Sequence, residues 1–203
     1  MDEKIVCFQT FLEKRFERLI DIKHSYKECS KYGSGEHLVN SEKRTINFDK
    51  LTEWYAPPGE KPCSADSMSF SDDCLYLIEF KSGDLTKSER KLEGLISNVA
   101  DKINDSDSTL TSLYEETFED KKNRLEQKFC LVVDSKQLGI VPLTAVLVSL
   151  STARNVKEKV LLEKVRPNLK EAIANPDHYS DVEIWYSEIF DQYINTKNIR
   201  SSV

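Results

Sequence analysis

Residues 63–83 read CSADSMSFSDDCLYLIEFKSG, and the way this stretch folds back on itself decides what the rest of the chain builds around it. SMSF and CLYLIEF are strand-like, rich in aromatic and branched residues. Between them Ser71-Asp72-Asp73-Cys74 is a polar turn. A hairpin is therefore expected. A turn centred between Asp72 and Asp73, of two or four residues, pairs Phe70 with Leu75, Met68 with Leu77, Asp66 with Glu79 and Ser64 with Lys81. Side chains alternate across a strand, so Asp66, Glu79 and Lys81 then share one face. A three- or five-residue turn would slip the register by one and move Glu79 to the other face.

In the first register two carboxylates stand with Cβ atoms about 4.5–5.5 Å apart, and like charges directly opposed destabilise a sheet. Two compensations are available: the Lys81 ammonium, two residues along the same face, or a hard divalent cation, which prefers oxygen ligands. A lysine beside a cation held by two carboxylates suits metal-assisted hydrolysis of a phosphodiester. The plainer alternative is a solvent-facing Glu79–Lys81 pair, worth at most about 1 kcal/mol.

Around the hairpin the periodicity is clear in places. Ile5, Phe8, Phe11 or Leu12, Phe16, Leu19 and Ile22 or Lys23 recur at helical spacing and predict an amphipathic helix over residues 2–27. Ile46 and Phe48 fall on one face of a strand-like start to RTINFDKLTEWY. Leu92, Leu95, Ile96, Val99 and Ile103 predict a long helix, with Thr86 and Glu89 spaced as a capping box. KFCLVVDS is an unbroken apolar run of strand length, expected at the centre of a sheet. In the tail, VPLTAVLVSL is a helix or a strand, and NVKEKVLLEKVRPNLKEAI is a helix interrupted near Pro167. SDVEIWYS alternates as a strand and SEIFDQYINTK closes as a helix. One α/β domain around a mixed sheet is expected.

Composition narrows the function. With 203 residues, 39% hydrophobic and 32% charged, the chain has the makings of a globular protein. No apolar run reaches the roughly 18 residues of a membrane span, and the charged start MDEKIVCFQTFLEKRFERL lacks a signal-peptide core. A soluble, cytoplasmic protein with no membrane partner is expected. Five cysteines without CxxC spacing argue for free buried thiols, not zinc or disulfides. The net charge of −6 argues against a broad basic surface for nucleic acid, while leaving room for a local basic groove.

The order of these elements, Ala65-Asp66 on one strand and Ile78-Glu79-Phe80-Lys81 on the next, resembles the PD-(D/E)XK nuclease superfamily over about residues 1–135. Ala65 stands where that pattern has proline. The resemblance implies a restriction-endonuclease-like mixed sheet flanked by helices, with residues 136–203 as a mixed α/β extension. It implies a metal-dependent nuclease acting on DNA, with RNA as the alternative substrate. Asp66, Glu79 and the backbone carbonyl of Phe80 would hold Mg²⁺ or Mn²⁺, and Lys81 would position or activate water. Glu13 or Glu17 would add a ligand from the first helix, with Glu36 a third candidate. Lys87, Arg90 and Lys91 are available basic residues on the following helix. The extension could supply a partner-binding or homodimer surface. A non-catalytic binding or assembly module on the same scaffold is the second reading, favoured by the acidic balance. An α/β protein whose hairpin charges are mere surface is the third.

Overall fold

A computed structural model describes residues 2–16, 22–33, 35–59, 63–85, 87–120, 123–138 and 160–196. Its frame is a mixed six-stranded sheet flanked by helices on both faces. In chain order the strands are β1 (Lys23–Ser25), β2 (Lys31–Tyr32), β3 (Glu36–His37), β4 (Arg44–Asn47), β5 (Ser67–Phe70), β6 (Leu75–Lys81), β7 (Gln127–Val133) and β8 (Asp181–Tyr186). The helices are α1 (Glu3–Arg15), α2 (Tyr26–Cys29), α3 (Phe48–Thr52), α4 (Glu89–Thr117), α5 (Ser135–Leu138), α6 (Arg166–Ala172) and α7 (Ser187–Thr196). The six-stranded sheet runs β1-β4-β5-β6-β7-β8, and β2 and β3 form a separate ribbon.

The hairpin takes the expected register: Phe70 pairs with Leu75, Met68 with Leu77 and Ser67 with Ile78. Ser71 closes the turn, its backbone N–H donating to the Cys74 carbonyl at 2.9 Å and its hydroxyl to Asp73 at 2.9 Å. β6 then runs parallel to β7, and β7 parallel to β8. The KFCLVVDS strand is thus interior, and Phe129, Cys130, Leu131, Val132 and Val133 are all buried. A strand covered on both faces has no polar side, which is why this segment shows no alternation.

Alternation along β6 sorts its neighbours. Leu75 and Leu77 join the larger core with Phe8 of α1, Val99 and Ile103 of α4 and Leu169 of α6. Ile78 joins the smaller core on the opposite face with Tyr26 of α2 and Phe190 of α7. Glu79, in phase with Leu75 and Leu77, is directed to the α4 side.

Three expectations shift. The first helix ends at Arg15, because Phe16 leaves helical geometry at φ −114°, ψ 70°. Residues 23–25, expected in that helix, instead form β1 by pairing with Arg44–Ile46. The Ile22 carbonyl also accepts the Asn47 N–H at 2.6 Å. Sheet hydrogen bonds here outweigh a helical apolar period. Phe48 opens α3, capped by the Asn47 side chain, instead of extending β4. Helix α4 is capped by Ser88, whose hydroxyl accepts from Lys91 N–H, and Thr86 lies outside the described residues. It runs as one helix of 29 residues.

In the tail, a π-helical turn at Leu161–Val165 leads into α6. Pro167 lacks an N–H and its ring crowds the preceding turn, which accounts for the widened geometry. β8 alternates as expected, with Val182, Ile184 and Tyr186 buried, and adds the sixth strand to the sheet. VPLTAVLVSL lies outside the described residues. All five cysteines are free; Cys74 and Cys130 are buried, whereas Cys7 is exposed. Among the described residues no helix is long and apolar enough to cross a membrane.

Candidate functional site

Asp66 is the residue before β5, and the register places it opposite Glu79. Its position is set from three sides. Its carbonyl accepts the Phe48 N–H at 3.2 Å. On its N-terminal side, Ala65 N–H donates to the Ser106 hydroxyl at 2.9 Å and Cys63 N–H to Asp105 at 3.1 Å. One turn of α4 thus clasps the segment that delivers the aspartate. The Asp66 side chain crosses to β6 and accepts the Phe80 N–H at 2.7 Å.

Glu79 is almost wholly buried, with 1% of its side chain exposed. The Lys81 ammonium lies 2.8 Å from its Oε1 and also donates to the Asn98 side-chain carbonyl at 2.9 Å. The two acids do not face each other uncompensated. Lys102, on α4, places its ammonium 2.8 Å from Glu79 Oε2 and 3.2 Å from Asp66 Oδ1. Asn98 and Lys102 are four residues apart and so project from one face of the helix. Every carboxylate oxygen of the pair has a donor: Lys102 and Phe80 N–H on Asp66, Lys81 and Lys102 on Glu79.

The electrostatics follow from burial. Desolvation, with the Glu79 charge beside it, pushes the Asp66 carboxyl up to about 7, against the pull of Lys102 and the Phe80 N–H. For Lys102 burial works against the charge. The Glu79 and Asp66 carboxylates outweigh it and hold the ammonium well above the usual lysine range.

The cluster floors a recess of about 150 Å³. Lys31 and Tyr32 of β2 stand on its wall, with Lys81, Ser82 and Lys102. Lys81 and Lys102 are paired with the two acids, so Lys31 is the lysine of the lining in excess of them, on a chain of net charge −6.

Asp66, Glu79, Lys81 and the Phe80 backbone are therefore brought together, and the others are not. Glu13 is exposed on α1 and does not line the recess, and Glu17 lies outside the described residues. Glu36 is exposed on β3, opposite Tyr32. Lys87, Arg90 and Lys91 are exposed around the start of α4. Their places are taken by Asn98 and Lys102, two and three helical turns further on. The signal for Lys102 lay in the helical period itself: it stands three residues after Val99 and one before Ile103, at the edge of the buried stripe.

As a donor set, two carboxylates sharing one cation fit Mg²⁺ or Mn²⁺, which commonly take one or two carboxylates and complete their shell with water and phosphate oxygens. Among the described residues no group of three or more His, Cys, Asp or Glu could hold a metal. Known proteins add no assignment: no family model, curated protein or solved structure matches the chain.

Proposed function

We propose that the chain is a metal-dependent nuclease with a restriction-endonuclease-like fold, hydrolysing phosphodiester bonds of DNA, with RNA as the alternative substrate. The observation that carries this reading is that Asp66 and Glu79 converge on one cation, 3.2 and 2.8 Å away, beside Lys81 and under a lysine-lined recess. Asp66, Glu79 and the Phe80 carbonyl are the residues that would hold Mg²⁺ or Mn²⁺. A bound divalent ion supplies Lewis-acid polarisation of phosphate and a more acidic water.

The chain's own groups do the rest. Lys81 is kept at the recess wall by Glu79 and Asn98, where its ammonium orients water and offsets charge growing on phosphate. Lys31 adds a cation for the substrate backbone, and Tyr32 an aromatic ring on which a base can stack. A binding or assembly module on the same scaffold is the second reading. It is favoured by the fact that every carboxylate oxygen already has a donor from the chain.

The test is cleavage of single- and double-stranded DNA and of RNA with Mg²⁺, Mn²⁺ or EDTA. Wild type is expected to cut only with metal. Asp66→Asn, Glu79→Gln and Lys81→Met are each expected to lose about a hundredfold or more. Cleavage that persists in all three variants would remove the reading, and no cleavage by wild type of any substrate would favour the binding module.

A further inference from the structure

We propose that Lys102 is an exchangeable internal cation, which competes with the divalent ion for Asp66 and Glu79 and sets how tightly that ion binds. The inference rests on the nuclease reading of the site.

The geometry carries it. Among the described residues the Lys102 ammonium is the group in contact with both acids, at 3.2 Å from Asp66 Oδ1 and 2.8 Å from Glu79 Oε2. Asp66 and Glu79 are the residues that would hold a divalent ion, and two cations drawn to the same pair of carboxylates would compete for them.

Two features make the lysine displaceable. Its side chain is 16% exposed and lines the recess, so the head has somewhere to go when it leaves. Its four-carbon stem is flexible and its head is a point charge, with no planar fork to lock onto a carboxylate. Arg124, by comparison, is fixed among Asp107, the Thr111 hydroxyl and the Tyr114 ring.

Two features make the competition costly to the incoming ion. Both bonds are charge-assisted and largely removed from water. Lys81 holds the remaining Glu79 oxygen and Phe80 N–H the remaining Asp66 oxygen, so the acids cannot turn away from Lys102 to offer a free edge. An incoming ion would therefore meet acids that Lys102 already neutralises. Displaced into the recess, the ammonium joins Lys31 and Lys81 on the wall that faces substrate phosphate.

The experiment is Mn²⁺ binding followed by electron paramagnetic resonance of the free ion, with no nucleic acid present. It compares wild type, Lys102→Met, Lys102→Gln and Asp66→Asn. The glutamine variant keeps a hydrogen-bond donor without the charge and guards against a methionine variant that fails to fold; circular dichroism checks both. If the inference holds, both Lys102 variants bind Mn²⁺ about tenfold tighter than wild type or more, the scale of one charge-assisted hydrogen bond, and Asp66→Asn binds weakly or not at all. Mn²⁺ would also raise the melting temperature of the Lys102 variants by more than that of wild type. Equal affinity in wild type and the Lys102 variants overturns the inference and leaves the nuclease reading standing. Weaker binding in the variants also overturns it, because Lys102 would then be supporting the metal site. Absence of Mn²⁺ binding in all four proteins removes the nuclease reading and the inference with it.

Discussion

The buried Glu79–Lys102 pair makes a quantitative prediction through a double-mutant cycle. Glu79→Leu keeps the side-chain volume and removes the charge. It leaves the Lys81 and Lys102 ammoniums without the acid that lies 2.8 Å from each. Breaking a fully buried pair costs about 3–5 kcal/mol. The lysine side chains are 23% and 16% exposed, so both can turn partly to water, and about 3 kcal/mol is expected. Lys102→Met deprives Glu79 of one of two cations and Asp66 of its only ion pair among the described residues. Asp66 keeps the Phe80 N–H and Glu79 keeps Lys81, so this variant is expected to cost about 2 kcal/mol. In the double variant leucine and methionine pack in place of the pair, and the total loss is expected to fall short of the sum by about 1.5–3 kcal/mol. Urea unfolding in EDTA at pH 7.5, followed by tryptophan fluorescence, reads all four corners. Single losses that add to within about 0.5 kcal/mol would refute the buried pair.

Three further outcomes are expected. Asp107 is 4% exposed and is held by His178 and Asn175 at 2.8 Å and by Arg124 at 3.6 Å, tying α4 to the segment before β8. Asp107→Ala should cost about 3 kcal/mol in urea unfolding, and a loss below about 1 kcal/mol would mean the tie is not holding the fold. Glu28 closes a capping box on α2, and the Ser25 backbone N–H, then its hydroxyl, hold its carboxyl below the usual range. A depressed folded pKa gives stability that is present above the unfolded value of about 4.3 and fades as pH falls through the folded one. The melting-temperature gap between wild type and Glu28→Gln should therefore be open at pH 7 and close toward pH 3, and a gap independent of pH would count against the box. Gly83, two residues past Lys81, has φ +86° with nothing within 4 Å of an added Cβ. Gly83→Ala should cost about 1–2 kcal/mol from backbone strain alone, and a neutral result would mean the loop relaxes freely.

Much of the site was legible in the sequence because the hairpin is local. If the polar turn at Ser71–Cys74 has even length, period-two alternation puts Asp66, Glu79 and Lys81 on one face, and the structure shows that register. The same local rules account for β8, for the unbroken strand β7 and for the apolar stripe of α4. They fail where the competing partner is distant. Residues 23–25 continue a helical apolar period, yet the backbone donors and acceptors of Arg44–Ile46 draw them into the sheet. Glu13, a ligand candidate only through the resemblance, faces solvent, because Phe8 and Leu12 turn their side of α1 to the core.

By itself, then, the sequence determined a hairpin in which an even-length turn brings two acids and a lysine to one face, since strand period is a property of adjacent residues; the choice of that register over the odd one came from the structure. Only the tertiary structure brought the second cation that, with Lys81, neutralises them. Lys102 lies 36 residues from Asp66 and 23 from Glu79, and its arrival depends on how α4 lies across β5 and β6. That placement is set by packing of Leu95, Val99 and Ile103 on the sheet and by the Ala65–Ser106 hydrogen bond. A period of 3.6 residues says that a helix has a buried face; which charged residue at the edge of that face meets which acid is settled only by the fit of one surface on another.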